Sequence, residues 1–241
     1  MGRRGLELNG SSSLDPQEAG GPLPEAPGFL NLFSQSLMAL SFGPGDLLAG
    51  LMFSSFLWLV VEKTWALAAY PCILTTRGLI GGILCGRLST GLWIGMVRPS
   101  LLHNTREFKV LCSSILVFGG AVSLLMGGVL SLYGLAWGLT GEEALEMTVS
   151  LVATMAISMM FIPFSALLAF TSFRHRLDPD IITYPASSTA ADIFVTGCYG
   201  VVLYLPHLGP LGQVATYGIC SAFAISCCLA LAWGRGEEEF W

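Results

Sequence analysis

The chain has 241 residues, 54% hydrophobic and 11% charged, with a mean hydropathy of +0.70. Soluble domains carry about 25% charged residues, so this composition excludes an ordinary soluble domain and predicts an integral membrane protein. The net charge of −5 lies largely in Glu7, Asp15, Glu18 and Glu25 near the start and Glu237, Glu238 and Glu239 near the finish, and no basic stripe suggests a nucleic-acid partner.

Residues 1–28 are rich in Gly, Pro and Ser without apolar periodicity, and read as a disordered cytoplasmic tail with no room for a folded domain. The first apolar run begins too late, and without a cleavage signature, for a signal peptide. FLNLFSQSLMALS is too short to cross a bilayer and stops at Gly43-Pro44-Gly45, so 29–43 is expected to form an interfacial amphipathic helix. Six apolar spans follow, at 46–61, 66–87, 109–138, 144–170, 181–205 and 212–233. The expected fold is therefore an all-α membrane protein of six transmembrane helices, ending in a short cytoplasmic tail at 234–241.

Lysine and arginine counts in the connections set the expected orientation. With the N-terminus inside, the inner segments hold Arg3, Arg4, Arg98, Arg106, Lys109, Arg174, Arg176 and Arg235, and the outer ones only Lys63. Glu142, Glu143 and Glu146 fall at an outer connection. This predicts a multi-pass protein of the cell membrane with both termini cytoplasmic.

Charges inside the spans need reasons. Asp46 opens the first span after Gly-Pro-Gly and reads as a helix-start acid. Arg87 lies near the inner end of the second span, where it can snorkel. Arg77 lies roughly 18 Å in from Trp65 at helical rise, and must face protein or water. Gly78, Gly82 and Gly86 share its helix at four-residue spacing; this suits close packing of another helix, or bare backbone narrowing a pore.

In LDPDIITYPASSTAAD (177–192), Asp178-Pro179-Asp180 reads as a helix start. Pro185, about two turns on, would kink the axis and free the carbonyl near Ile181. Pro185, Ser188, Thr189, Asp192, Thr196 and Tyr199 then share one helix face. Asp192 falls near the midplane, where a carboxylate costs at least about 2.5–3.5 kcal/mol. Three readings stay open: an ion pair with Arg77, a protonated hydrogen-bonded acid, or a ligand on a path for a hydrated divalent cation. The cysteines (Cys72, Cys85, Cys112, Cys198, Cys220, Cys227, Cys228) show neither disulfide nor zinc spacing, and read as small buried hydrophobes. His103, His175 and His207 form no ligand cluster.

The 177–192 stretch resembles the fifth-helix signature of the MgtE magnesium channels and their solute-carrier relatives: Leu-Asp-Pro, a helix-breaking Pro, small polar residues, then a second Asp fourteen positions after the first. YPCILTTRGLIGGILCGRLSTG (70–91) resembles the second-helix signature, with Pro71, Gly78, Arg87, Leu88, Ser89 and Thr90 in place; where Arg77 stands, the solute-carrier branch often has lysine. The resemblance implies a five-helix transport module at 44–205 with an additional helix at 206–233. It implies that two modules, as a homodimer or with a paralogous partner chain, enclose a path for Mg2+ between their second and fifth helices. It implies no enzyme activity. Carried over, the ion-holding role falls to Asp192, with Ser188, Thr189 and Asp178 as further metal-site candidates and Arg77, Gly78, Gly82, Pro185 and Thr196 lining or packing the path. Two family positions differ: Leu79 stands for the usual Asn, and Gly81 for the solute-carrier acid. No counterpart of the bacterial regulatory domain precedes the module, so gating by cytosolic magnesium in that manner is not expected. The alternative is a non-conducting structural or partner subunit with a buried Arg77–Asp192 pair.

Overall fold

The computed structural model describes residues 29–101, 104–174 and 184–234. Among these, the regular elements are helices: α1 (Phe29–Leu40), α2 (Pro44–Ser55), α3 (Leu57–Glu62), α4 (Thr64–Ile94), α5 (Arg106–Ala136), α6 (Gly141–Ser158), α7 (Ile162–Arg174), α8 (Tyr184–Tyr204) and α9 (Pro210–Gly234). A 3-10 turn at Met159–Phe161 joins α6 to α7, and another at Leu205–Leu208 follows α8. The expected tails at 1–28 and 235–241, and the helix start at Asp178-Pro179-Asp180, lie outside the described residues.

Five stretches are long and apolar enough to cross a membrane: Thr64–Ile94, Arg106–Ala136, Gly141–Arg174, Tyr184–Leu208 and Pro210–Gly234. They coincide with the last five predicted spans, mostly running a few residues past the predicted ends. The first predicted span is divided between α2 and α3, which meet at Phe56 with φ −114° and ψ 21°. The hydroxyls of Ser54 and Ser55, the last residues of α2, donate back to the carbonyls of Gly50 and Met52. Such back-bonding competes with the helical ladder and bends it. Pro44, in the first turn of α2, needs no backbone partner there.

Local chemistry also sets the connections. Gly95, at φ 80°, closes α4 in the left-handed region, where a side chain would be strained. Thr140 and Glu143 form a reciprocal capping box at the start of α6. Lys63, between α3 and α4, forms an ion pair with Glu146 of α6.

The core is built on α4, α6 and α8. Ile73 and Leu84 of α4, Leu151 and Met155 of α6, and Val195, Tyr199 and Leu203 of α8 pack together with 3% exposure or less. A second cluster (Leu88, Leu92, Val97, Phe108, Ala166, Phe170) joins the far end of α4 to α5 and α7. Among apolar surroundings such contacts stabilise by close packing rather than by escape from water. Helix α9 is the least buried of the five long stretches; it lies against α5 and α6, with the Cys227 thiol donating to the Leu116 carbonyl at 3.5 Å and that of Cys220 to the Val149 carbonyl at 3.5 Å.

Candidate cation site

Helix α8 is held between two neighbours of opposite direction. Gly45, Met52 and Phe56 of the α2–α3 segment lie against Thr189, Gly197 and Gly200, and Glu62 receives the His207 ring nitrogen at 3.0 Å. Residue numbers rise together, so α2–α3 runs parallel to α8 along its length. Against α4 they run oppositely: Tyr199 donates to the Ala66 carbonyl at 2.7 Å, Thr196 meets the Tyr70 hydroxyl at 2.9 Å, and Arg77 donates to the Ser187 carbonyl at 3.5 Å. Gly82 then faces Tyr184, whose ring would lie 3.7 Å from an added Cβ.

These registers divide the polar face of α8 in two. Thr196 and Tyr199 are fully buried, and Thr196 also donates to the Asp192 carbonyl at 2.6 Å. Beside them Phe53 stacks on Tyr70 at 4.2 Å and Tyr70 on Tyr199 at 5.9 Å. This part of the face is sealed. Ser188, Thr189 and Asp192, one or two turns toward the start of α8, remain half-buried. Thr189 bonds the Phe42 carbonyl at 3.4 Å. Pro185 is the second residue of the described helix, so the kink expected at Ile181 lies outside the described residues, as does Asp178.

The Asp192 carboxylate receives no hydrogen bond among the described residues, and no base lies within ion-pairing distance of it there; the pairs found are Lys63–Glu146 and Glu62–His207. Arg77 is close enough for the two charges to act on one another. Arg77 is only 6% exposed, and its guanidinium rests over the Phe161 ring, 5.6 Å from its centre. Gly81 gives it room, since an added Cβ would lie 3.1 Å from Nη1. Position 81 is thus the space beside the arginine.

Among the described residues, the glycine stripe packs against no helix beyond the Tyr184 ring. An added Cβ at Gly78 or Gly86 would meet nothing within 4 Å, and at Gly82 only the Tyr184 ring. Leu79, beside Gly78, is 53% exposed. Sequence reasoning missed the aromatic seal, Phe161 beneath Arg77, and the approach of Asp46. That acid is exposed in the first turn of α2, where Gly43 rather than an acid holds the cap position. Asp46 is one residue beyond the Gly45–Thr189 contact, and its charge is felt at Asp192. Proximity of two carboxylates 146 positions apart leaves no local signal in the sequence.

Among the described residues, no three His, Cys, Asp or Glu side chains come together as a metal shell. One carboxylate with hydroxyls beside it suits a hydrated divalent ion held through its waters. A multi-pass helical membrane protein with an acid and a base buried between its helices is the class that fold and site define. The profile of the MgtE family, described as divalent cation transporters, matches residues 70–202, more than half of the chain. The chain belongs to that family, whose members are transporters rather than enzymes. Comparisons with curated proteins and with solved structures give no significant match.

Proposed function

We propose that the chain moves Mg2+ or a similar divalent cation across the cell membrane, along a path between α4 and α8 of two paired modules, centred on Asp192. The observation that carries this reading is the state of that carboxylate: half-buried, without a hydrogen-bond donor among the described residues, and near the buried Arg77 without pairing with it. A carboxylate so placed is costly unless water, an ion or a second chain compensates it. The open strip at Gly78, Gly82 and Gly86 lets a second copy approach closely. A twofold pairing there brings two Asp192 carboxylates to face one divalent ion. Ser188 and Thr189 supply hydroxyls to the ion's waters; Asp178, outside the described residues, is the further acid candidate.

The same reading makes α2–α3 a sixth crossing. It runs beside α8 from Thr189 to His207, so it spans whatever α8 spans, and α1 then lies at the inner surface. The arginines of the connections favour both termini inside.

The second reading is a non-conducting subunit in which Arg77 neutralises Asp192. The deep burial of Arg77 and the exposed Leu79 favour it. Magnesium flux into liposomes, wild type against Asp192→Asn, separates the two. Flux that the substitution abolishes, in a variant that still folds and pairs, is expected. A folded, paired wild type that passes no divalent ion would overturn the transport reading. Magnesium-dependent thermal stabilisation, lost in Asp192→Asn, counts against the structural subunit.

A further inference from the structure

We infer that Asp46 is the second acid of the cation path and restores the charge that Arg77 removes from it. The inference rests on the transport reading above. Asp192 and Arg77 together are neutral, and two neutral pairs facing each other would give a divalent cation no net attraction. A buried guanidinium held by one long hydrogen bond and an aromatic face is not neutralised by contact, so its charge spreads into the path at low dielectric. The other neighbours whose electrostatics reach Arg77 are a thiol, Cys85, and a phenol, Tyr184, not carboxylates.

Asp46 changes the balance. Gly45 lies so close against Thr189 that an added Cβ would clash with Thr189 Cγ2. The parallel register of α2 and α8 therefore fixes Asp46 beside the turn of α8 that ends at Asp192. The Asp46 carboxylate is exposed and has no hydrogen bond among the described residues, so it is not consumed by the helix it opens. Two acids and one base leave one negative charge per chain. A twofold pair then carries two, matching a divalent ion and giving a monovalent one no comparable hold. Asp46 supplies from α2 the compensating charge for which α4, with Gly81 beside Arg77, has no side chain.

The test is a charge-swap series in liposome flux: wild type, Asp46→Asn, Arg77→Gln, the Asp46→Asn/Arg77→Gln double variant and Asp192→Asn. Half-saturation for magnesium should rise on the order of tenfold in D46N, fall in R77Q, and return near the wild-type value in the double variant. An acid that merely stabilises the first turn of α2 would not be rescued by a change on α4. If D46N matches wild type, or the double variant is as impaired as D46N, the inference is wrong; the Asp192 reading survives if D192N alone is dead. If wild type passes no divalent ion, both fall together. Should D46N not survive purification, R77Q carries the test: an unchanged half-saturation overturns the inference.

Discussion

Substituting Gly200 by alanine tests the seam that makes α2–α3 a partner of α8 along its length. An added Cβ would lie 2.8, 2.9 and 3.2 Å from three ring atoms of Phe56. That ring is not free to swing away, because Phe53 meets it edge-on at 5.3 Å and Tyr199 at 6.4 Å. The ring or the helix must therefore shift. Overpacking of this kind costs about 1–3 kcal/mol. At about 2–4 °C per kcal/mol for a chain of this size, the melting temperature should fall by about 2–12 °C. The assay is thermal unfolding in detergent with Gly200→Ala, Phe56→Leu and the double variant. Leucine removes the ring atoms that the new methyl meets, so the alanine should cost clearly less in the Phe56→Leu background, a coupling expected only of residues in contact. A G200A protein that melts with the wild type, or costs that simply add, would refute the packing of Phe56 on Gly200. The argument that α2–α3 crosses the bilayer beside α8 would then lose a main support.

Two other outcomes follow from the same geometry. Tyr199→Phe removes the 2.7 Å hydrogen bond to the Ala66 carbonyl in a fully buried setting; it should cost about 0.5–1.5 kcal/mol in detergent unfolding, and a variant as stable as wild type would show that the bond does not hold α8 to α4. In a cysteine-free background, Glu142→Cys should react with a membrane-impermeant maleimide added outside intact cells, and Arg98→Cys only after permeabilisation; the reverse pattern would invert the proposed topology.

Much of the bundle was legible because apolar runs of sufficient length leave few other structures in a membrane. The five long stretches were found nearly where they lie. The division at Phe56 was not legible, because Ser54 and Ser55 look like ordinary small polar residues in an apolar run. Only the return of their hydroxyls to Gly50 and Met52, and the glycine waiting at position 200, make that point a bend. The polar face of α8 was legible as a face, but not its division. Thr196 and Tyr199 differ from Ser188 and Asp192 in having partners on α4, and which residue of α4 stands opposite is a matter of register that α8 alone does not encode. The spacing of Gly78, Gly82 and Gly86 announced a helix interface, and among the described residues only the Tyr184 ring meets it.

That empty strip and the unpartnered acid bear on one another. Evolution keeps a carboxylate and a guanidinium among membrane helices only against a continuing cost, and pairing them tightly would be the simplest relief. This chain does not take it: Arg77 is held over Phe161 and toward the Ser187 carbonyl, short of ion-pairing distance from Asp192. Above them Tyr70, Phe53, Tyr199 and Thr196 pack closely between α2, α4 and α8. The open side is the glycine strip next to Tyr184. On the proposed transport reading, a site closed inward and left with unsatisfied charge is half of a larger site, and the face proposed to complete it is the one on which α4 presents bare backbone.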